Sequence, residues 1–265
     1  MPFFDNDGIK IYYEIEGEGP PVVMIHSFIR NSETMWKQTN WVATLKDKYQ
    51  LILIDCRGYG RSDKPHDDDD YGTKMTDDLI KLMEHLSIEK ANFLGYSMGA
   101  SFAYHLLLTK PKIIISAILG GFVLNLNEKE IAKDLEDTKQ FIEAFRANSI
   151  DQIKDPQTRQ FRQFAELHKN DLLALAAVQA GWLKYESETT TPPAQIREAL
   201  KKIKVPVMTV VGSSDDLLTG DKTLLAQLVP DACHFQIQGK DHLTMIAAPK
   251  FKMIVKSFLD FTNNQ

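Results

Sequence analysis

The run Ala91-Asn92-Phe93-Leu94-Gly95-Tyr96-Ser97-Met98-Gly99-Ala100 sets a serine between two different patterns. Ahead of it, Ala91 to Leu94 is short and mostly apolar, as a strand covered on both faces is. Behind it, Ala100 to Leu108 reads as a helix packed into a core. A serine at that junction sits on a tight turn. The residues two positions either side, Gly95 and Gly99, must be small for strand and helix to approach each other. The turn lifts the hydroxyl above the sheet edge and places it at a helix N-terminus, where free backbone N–H groups point outward. A chance Gly-x-Ser-x-Gly in a loop would lack these flanks.

Outward from this turn the chain alternates. Val22 to Ile25, Leu51 to Ile54, Ile113 to Leu119 and Val205 to Val211 are continuous apolar runs, and Ala232 to Ile237 reads as the last strand. Helical spacing is expected over Glu33 to Leu45, Thr76 to Leu86, Thr219 to Leu228 and Pro249 to Phe261. Near the N-terminus, Lys10 to Glu16 alternates apolar and polar residues, and Asp7-Gly8 before it is a hairpin signal. Strand–helix alternation predicts an α/β fold, a mostly parallel twisted sheet with helices on both faces and antiparallel strands at the start.

The rhythm breaks from about Asn125 to Thr191. This stretch is charged and helical, with Phe141, Phe145, Phe161, Phe164, Leu167, Leu172, Leu173, Leu175 and Trp182 as apolar anchors, and Pro156 is expected to end one helix. Thr189-Thr190-Thr191-Pro192-Pro193 closes it. The division this predicts is a core of residues 1–122 and 193–265 with a helical insertion at 123–192. Such an insertion makes a lid over a pocket. Packing between its own helices accounts for part of the same aromatic content.

Composition excludes several classes. A chain of 265 residues buries a large core, and α/β folds of this size are routinely one domain. A net charge of -5, from 31 basic and 36 acidic side chains, leaves no basic footprint for nucleic acid and no polybasic membrane patch. No signal peptide is visible and no apolar run is long enough to span a bilayer, so a cytoplasmic location is expected. Cys56 and Cys233 make neither a metal spacing nor a disulfide framework. Four aspartates follow His66; they read as a solvated acidic loop rather than a cation site.

A serine hydroxyl is a poor nucleophile at neutral pH. It needs a base within hydrogen-bond reach, and the base needs a carboxylate to fix its tautomer. In an open parallel sheet, functional groups collect at the carboxyl ends of the strands. Ser97 follows one strand, Asp215 and Asp216 follow another, and His242 follows the last. The order serine, acid, histidine is that of the α/β-hydrolase arrangement. His242 is the expected base and Asp215 the preferred acid, with Asp216 the alternative. Asp241 is too close in sequence to orient the ring. His85, His105 and His168 fall in helices, His234 in a strand, His66 in the acidic loop and His26 beside the first apolar strand's end. The oxyanion of an acyl-transfer intermediate needs two N–H donors; the backbones of Met98 and Phe28 are the candidates.

These motifs carry a resemblance over nearly the whole chain. His26-Ser27-Phe28, Asp55-Cys56-Arg57-Gly58-Tyr59-Gly60-Arg61-Ser62-Asp63-Lys64-Pro65, the serine pentad, the Asp215 turn and Gly239-Lys240-Asp241-His242 resemble the serine α/β-hydrolases. The similar branch holds small carboxylesterases, enol-lactonases, carbon–carbon bond hydrolases and cofactor-free haloperoxidases. The resemblance implies a helical cap shaping the substrate pocket, no metal or organic cofactor, and a small ester or lactone substrate. The other implied readings are carbon–carbon bond hydrolysis of a dienedioate-type substrate, with an arginine such as Arg146, Arg159 or Arg162 holding its carboxylate, or a ligand receptor of slow turnover. Ser97 at the pentad's centre departs from the aspartate of haloalkane dehalogenases and epoxide hydrolases. The family's glycine after the first histidine is Ser27 here, which puts the oxyanion loop in question. Lys240-Asp241 stands where many members have small residues. A monomer or homodimer is expected.

Overall fold

A computed structural model describes residues 2–189 and 191–263; Met1, Thr190, Asn264 and Gln265 lie outside it, so the expected closing run after the insertion is described on either side of Thr190. Among the described residues, eight strands form one sheet in the order β1-β2-β4-β3-β5-β6-β7-β8. β1 (Phe3–Asn6) and β2 (Ile9–Glu16) form a hairpin closed by Asp7 at φ 54° and Gly8 at φ 84°, the left-handed pair that a two-residue turn requires. β2 runs antiparallel to β4 (Gln50–Asp55). β3 (Pro21–Ile25), β4, β5 (Ala91–Tyr96), β6 (Ile114–Gly120), β7 (Val207–Gly212) and β8 (Cys233–Ile237) are parallel. Their carboxyl ends therefore share one edge, and the loops carrying Phe28, Ser97, Asp215 and His242 all leave from it.

The apolar runs are continuous because both faces are covered. Val23, Ile25, Ile52, Ile54 and Phe93 point into one cluster, while Val22, Met24, Leu51, Leu53 and Leu94 point into the other. The period of two in a strand sends neighbours to opposite sides. The first face holds α2 (Lys74–His85) and α3 (Met98–Thr109). The second holds α1 (Trp41–Leu45) and α9 (Pro249–Thr262), with Trp36, Trp41 and Phe251 among its fully buried side chains.

Between β6 and α7 (Pro193–Leu200) come α4 (Glu128–Arg146), α5 (Pro156–Leu167) and α6 (Leu172–Glu188). Each begins on a side-chain cap. Asn127 accepts from the Lys129 and Glu130 N–H groups, Asp155 from Thr158 and Asp171 from Ala174.

Several expectations are corrected. Pro156 starts a helix instead of ending one, because proline's missing N–H costs nothing at the first helical position. The helix expected over Glu33 to Leu45 is two short pieces, Glu33–Lys37 and α1, broken at Asn40 with φ 65°. The helix expected from Thr219 shrinks to α8 (Leu224–Leu228). Leu167 and Leu173 are not anchors; they face solvent at the α5–α6 turn. The aspartate run is largely exposed, as expected, and it is also paired. Asp68 pairs with Arg146 of α4 and Asp69 with Lys184 of α6, while His66 meets Asp171 at 3.0 Å. The acidic strip is thus paired with α4, α6 and the α6 cap.

Candidate active site

Ser97 sits at φ 54°, ψ -115°, a strained left-handed backbone between β5 and α3. Such strain costs of order 1–3 kcal/mol and persists where the surroundings impose it. The two pentad glycines impose it. A Cβ on Gly95 would lie 2.2 Å from the Gly99 carbonyl oxygen, and one on Gly99 would lie 2.2 Å from that of Ile25. Only hydrogen fits at either place, so β3, β5 and α3 close together and the serine is pushed out above the sheet. The Ser97 N–H donates to the Gly120 carbonyl at 2.8 Å, tying the turn to β6.

Ser97 Oγ lies 2.9 Å from His242 Nε2, and His242 Nδ1 lies 2.8 Å from Asp215 Oδ2. The structure brings these three together from the ends of β5, β7 and β8. Asp215 is 1% exposed and holds the ring, whereas Asp216 is exposed. Asp215's depth matters, because a carboxylate shielded from water holds the ring more firmly. The Tyr96 hydroxyl donates to the His242 carbonyl at 2.7 Å, and its ring packs at 5.5 Å from the imidazole. Asp241 is occupied by its own turn, accepting from Leu243 N–H, Thr244 N–H and the Thr244 hydroxyl; the Thr244 backbone bond leads in holding its carboxyl below the usual range.

The loop after β3 folds into a turn in which Arg30 N–H donates to the Ser27 carbonyl at 3.2 Å. Ser27 has no positive φ. The left-handed residue is Ile29, at φ 66°. A side chain at position 27 therefore meets no left-handed strain, which falls two residues later on a β-branched residue. The backbone N–H groups of Phe28 and Met98 enter no hydrogen bond among the described residues. Phe28 packs against Tyr59 and against Phe145 of α4, with ring centroids 6.2 and 5.6 Å apart. Tyr59 donates its hydroxyl to Met98 Sδ at 3.2 Å.

His26 is fully buried beneath this turn. Its Nδ1 lies 2.8 Å from the Ser27 carbonyl, and its Nε2 accepts from Cys56 N–H at 3.0 Å. Two such partners require the neutral ring with the proton on Nδ1. Burial holds its pKa below the ordinary histidine value. The unfolded chain thus binds a proton that the folded chain refuses. This contribution to stability is complete above about pH 6.5 and is lost as pH falls toward the folded pKa. In urea titrations between pH 7 and 5, His26→Asn is expected to show a shallower loss of stability than the wild type, by up to about 1.4 kcal/mol per pH unit. Equal slopes would mean that His26 carries no such linkage.

The remaining histidines have other partners. His85 meets the Tyr13 hydroxyl at 3.2 Å, His234 meets Thr209 at 2.8 Å, His168 meets the Phe164 carbonyl, and His105 packs against Trp182 and Tyr185. Sequence reasoning missed Tyr96, Tyr59 and Ile29. Tyr96 occupies a variable place in the pentad pattern, and only its neighbours in space give it a task.

A family model described as the alpha/beta hydrolase fold matches residues 20–249. The chain belongs to the α/β-hydrolase family, as a hydrolase-type member with a mostly parallel eight-stranded sheet. It is 27% identical to a 3-oxoadipate enol-lactonase of Acinetobacter baylyi, over 96% of this chain and 95% of that one. Among solved structures, it resembles an enol-lactonase from Burkholderia xenovorans, with TM-score 0.76, 22% identity and coverage of 98% and 100% of the two chains. It also resembles a structure from a study of carboxylesterases of Nitrososphaera gargenis, with TM-score 0.77, 23% identity and 99% coverage of each chain. At these identities the structural likeness speaks for the fold. Among the described residues, no helix is long and apolar enough to cross a membrane.

Proposed function

We propose that this chain is a serine hydrolase that cleaves a small ester or lactone through an acyl-enzyme. The observation that carries this reading is the unbroken relay from Asp215 through His242 to a serine held in a strained, outward-facing turn. Ser97 Oγ attacks the carbonyl carbon as its proton passes to His242 Nε2. Asp215 keeps the ring in the tautomer that can accept it and stabilises the cation that forms. The carbonyl electrons move to oxygen, where the Phe28 and Met98 N–H groups act as donors. When the carbon–oxygen bond to the leaving group breaks, His242 returns the proton to that oxygen. A water molecule then attacks the acyl carbon by the same route, and the Ser97 oxygen leaves with its proton restored. No step calls on a metal or organic cofactor.

The names of the enol-lactonase and carboxylesterase relatives support an ester or lactone as the substrate class. In this reading residues 123–192 form a cap on a core of 1–122 and 193–265, supported by the contact of Phe145 with Phe28. The arginines that a dienedioate carboxylate would need are engaged elsewhere. Arg146 pairs with Asp68, Arg162 is buried on the Ala144, Phe145 and Ala147 carbonyls and on Glu166, and Arg159 donates to the Ile153 carbonyl. That weighs against carbon–carbon bond hydrolysis.

The test is turnover of p-nitrophenyl esters from acetate to octanoate by the wild type and Ser97→Ala. Wild-type turnover is expected, with the variant slower by about 10⁴-fold or more. Equal rates would remove Ser97 from the chemistry, and no turnover by either protein would move the search to other ligands.

A further inference from the structure

The turn that presents the Phe28 N–H is gripped by the insertion at one defined point. α5 ends in a paired closure: Lys169 N–H donates to the Glu166 carbonyl at 2.9 Å and Asn170 N–H to the Ala165 carbonyl at 3.0 Å, with Lys169 at φ 54°. This is the six-to-one and five-to-two pattern that locks a helix C-terminus. The next residue, Asp171, caps α6 and meets His66. Asn170 is therefore fixed from both sides by backbone geometry. From that position its Nδ2 donates to the Ile29 carbonyl at 3.2 Å and lies 3.4 Å from the Ala165 carbonyl.

Ile29 is the one residue of the turn in a left-handed conformation, which a β-branched side chain adopts only under constraint. Two of its neighbours also touch the insertion: Phe28 meets Phe145, and the Arg30 guanidinium lies 5.1 Å over the Phe164 ring. Those contacts fix side chains. The Asn170 bond is the one that reaches the backbone, at the strained residue, one position from the oxyanion donor.

We infer that Asn170 is a positioning residue for the oxyanion hole, holding Ile29 left-handed so that the Phe28 N–H stays aimed at the developing oxyanion. The inference rests on the acyl-transfer reading above. It makes activity depend on where the insertion sits. If the α5–α6 junction moves away, the Ile29 carbonyl loses its donor and the turn relaxes toward a conformation that suits isoleucine better. The oxyanion then keeps only the Met98 donor.

The experiment compares the wild type, Asn170→Ala, Ile29→Gly and the double variant. Glycine adopts positive φ without strain, so it substitutes for the constraint. With p-nitrophenyl acetate, Asn170→Ala is expected to lower kcat about tenfold with KM within about twofold. That loss lies between the weakening of one hydrogen bond and the full loss of an oxyanion donor, about a hundredfold or more. Affinity for a trifluoromethyl ketone, whose adduct places an oxyanion in the hole, should fall in proportion to kcat/KM. The double variant should regain most of the loss. Amide exchange in residues 26–31 should rise in Asn170→Ala and fall back in the double variant. An unchanged kcat, or a loss expressed in KM with no rescue by glycine, would overturn the inference. Amide exchange needs no turnover, so it tests the coupling even if the hydrolase reading fails; a wild type that does not turn over the ester would count against that reading alone.

Discussion

Asp215→Asn is expected to lower kcat on p-nitrophenyl acetate by about 10⁴-fold, while Asp216→Asn leaves it within about twofold. The two residues are neighbours, yet the fold treats them oppositely. Asp215 Oδ2 faces His242 Nδ1 at 2.8 Å from a fully buried position, and Asp216 faces solvent. An amide at 215 is nearly isosteric but offers an N–H where the ring needs an acceptor. The imidazole then turns to the other tautomer, its Nε2 carries a proton, and Ser97 has no base. The cation formed during attack also loses its counter-charge. The loss should appear in kcat with little change in KM, since Asp215 is buried behind the His242 ring. Steady-state kinetics of the two variants settle the assignment. If Asp216→Asn carried the large loss, the acid would move by one position; if neither did, the relay would not be the catalytic unit.

Much of this site was legible because its constraints are local. Ser97 needs small residues two positions away on both sides, and Gly95 and Gly99 are visible in the letters. Asp215 and His242 could be found because parallel strands end on one edge, so any residue just past a strand is a candidate. Pattern gave only a preference for Asp215 over Asp216, since burial of one neighbour and exposure of the other is set by how the loop packs. The same limit hid Tyr96, which holds the His242 carbonyl from 146 positions away in sequence. The turn after β3 shows the limit most clearly. Serine at position 27 seemed to put strain there, but a turn can move its left-handed residue, and here it falls on Ile29. Nothing in the letters Phe28-Ile29-Arg30 announces this, because glycine is the usual signal for positive φ and none is present. The acidic run is largely exposed, as its pattern suggests, but the pattern could not name its partners. Four aspartates read as solvated when their partners are unknown, and Arg146 and Lys184 lie far along the chain.

The fold depends on a charge pair that a sequence reader would place on the surface. Arg57 Nε and Nη2 each donate at 2.6 Å to the two carboxylate oxygens of Asp78, with both side chains almost fully buried. Asn6 Nδ2 donates to Asp78 Oδ1 at 2.7 Å, and Arg57 Nη1 donates to the Asp70 carbonyl at 2.6 Å. One network thus ties β1, the loop after β4, the acidic strip and α2. Burial lifts the Asp78 carboxyl above its ordinary value, against the pull of Arg57. Arg57→Met removes that pull and leaves a carboxylate in the core without its countercharge. The expected cost is about 3–5 kcal/mol, a large share of the 5–15 kcal/mol that holds a typical domain. The sign of its pH dependence follows. In the variant Asp78 ionises more readily in the unfolded chain than in the folded one, so the cost is greatest at neutral pH and shrinks as pH falls through the raised folded value. Replacing both residues, Arg57→Met with Asp78→Leu, should recover part of the stability: no charge is left to desolvate, but the Asn6 amide and the Asp70 carbonyl lose their partners. Urea unfolding of the two single variants and the double variant at pH 7 and pH 5 tests this. A single variant costing less than about 1 kcal/mol would mean the pair is solvated enough to behave like a surface salt bridge. The consequence reaches the candidate site, since the loop carrying Arg57 also carries Tyr59, which touches His26, Phe28 and Met98. A stability defect here should therefore loosen the turn after β3 before the sheet itself gives way.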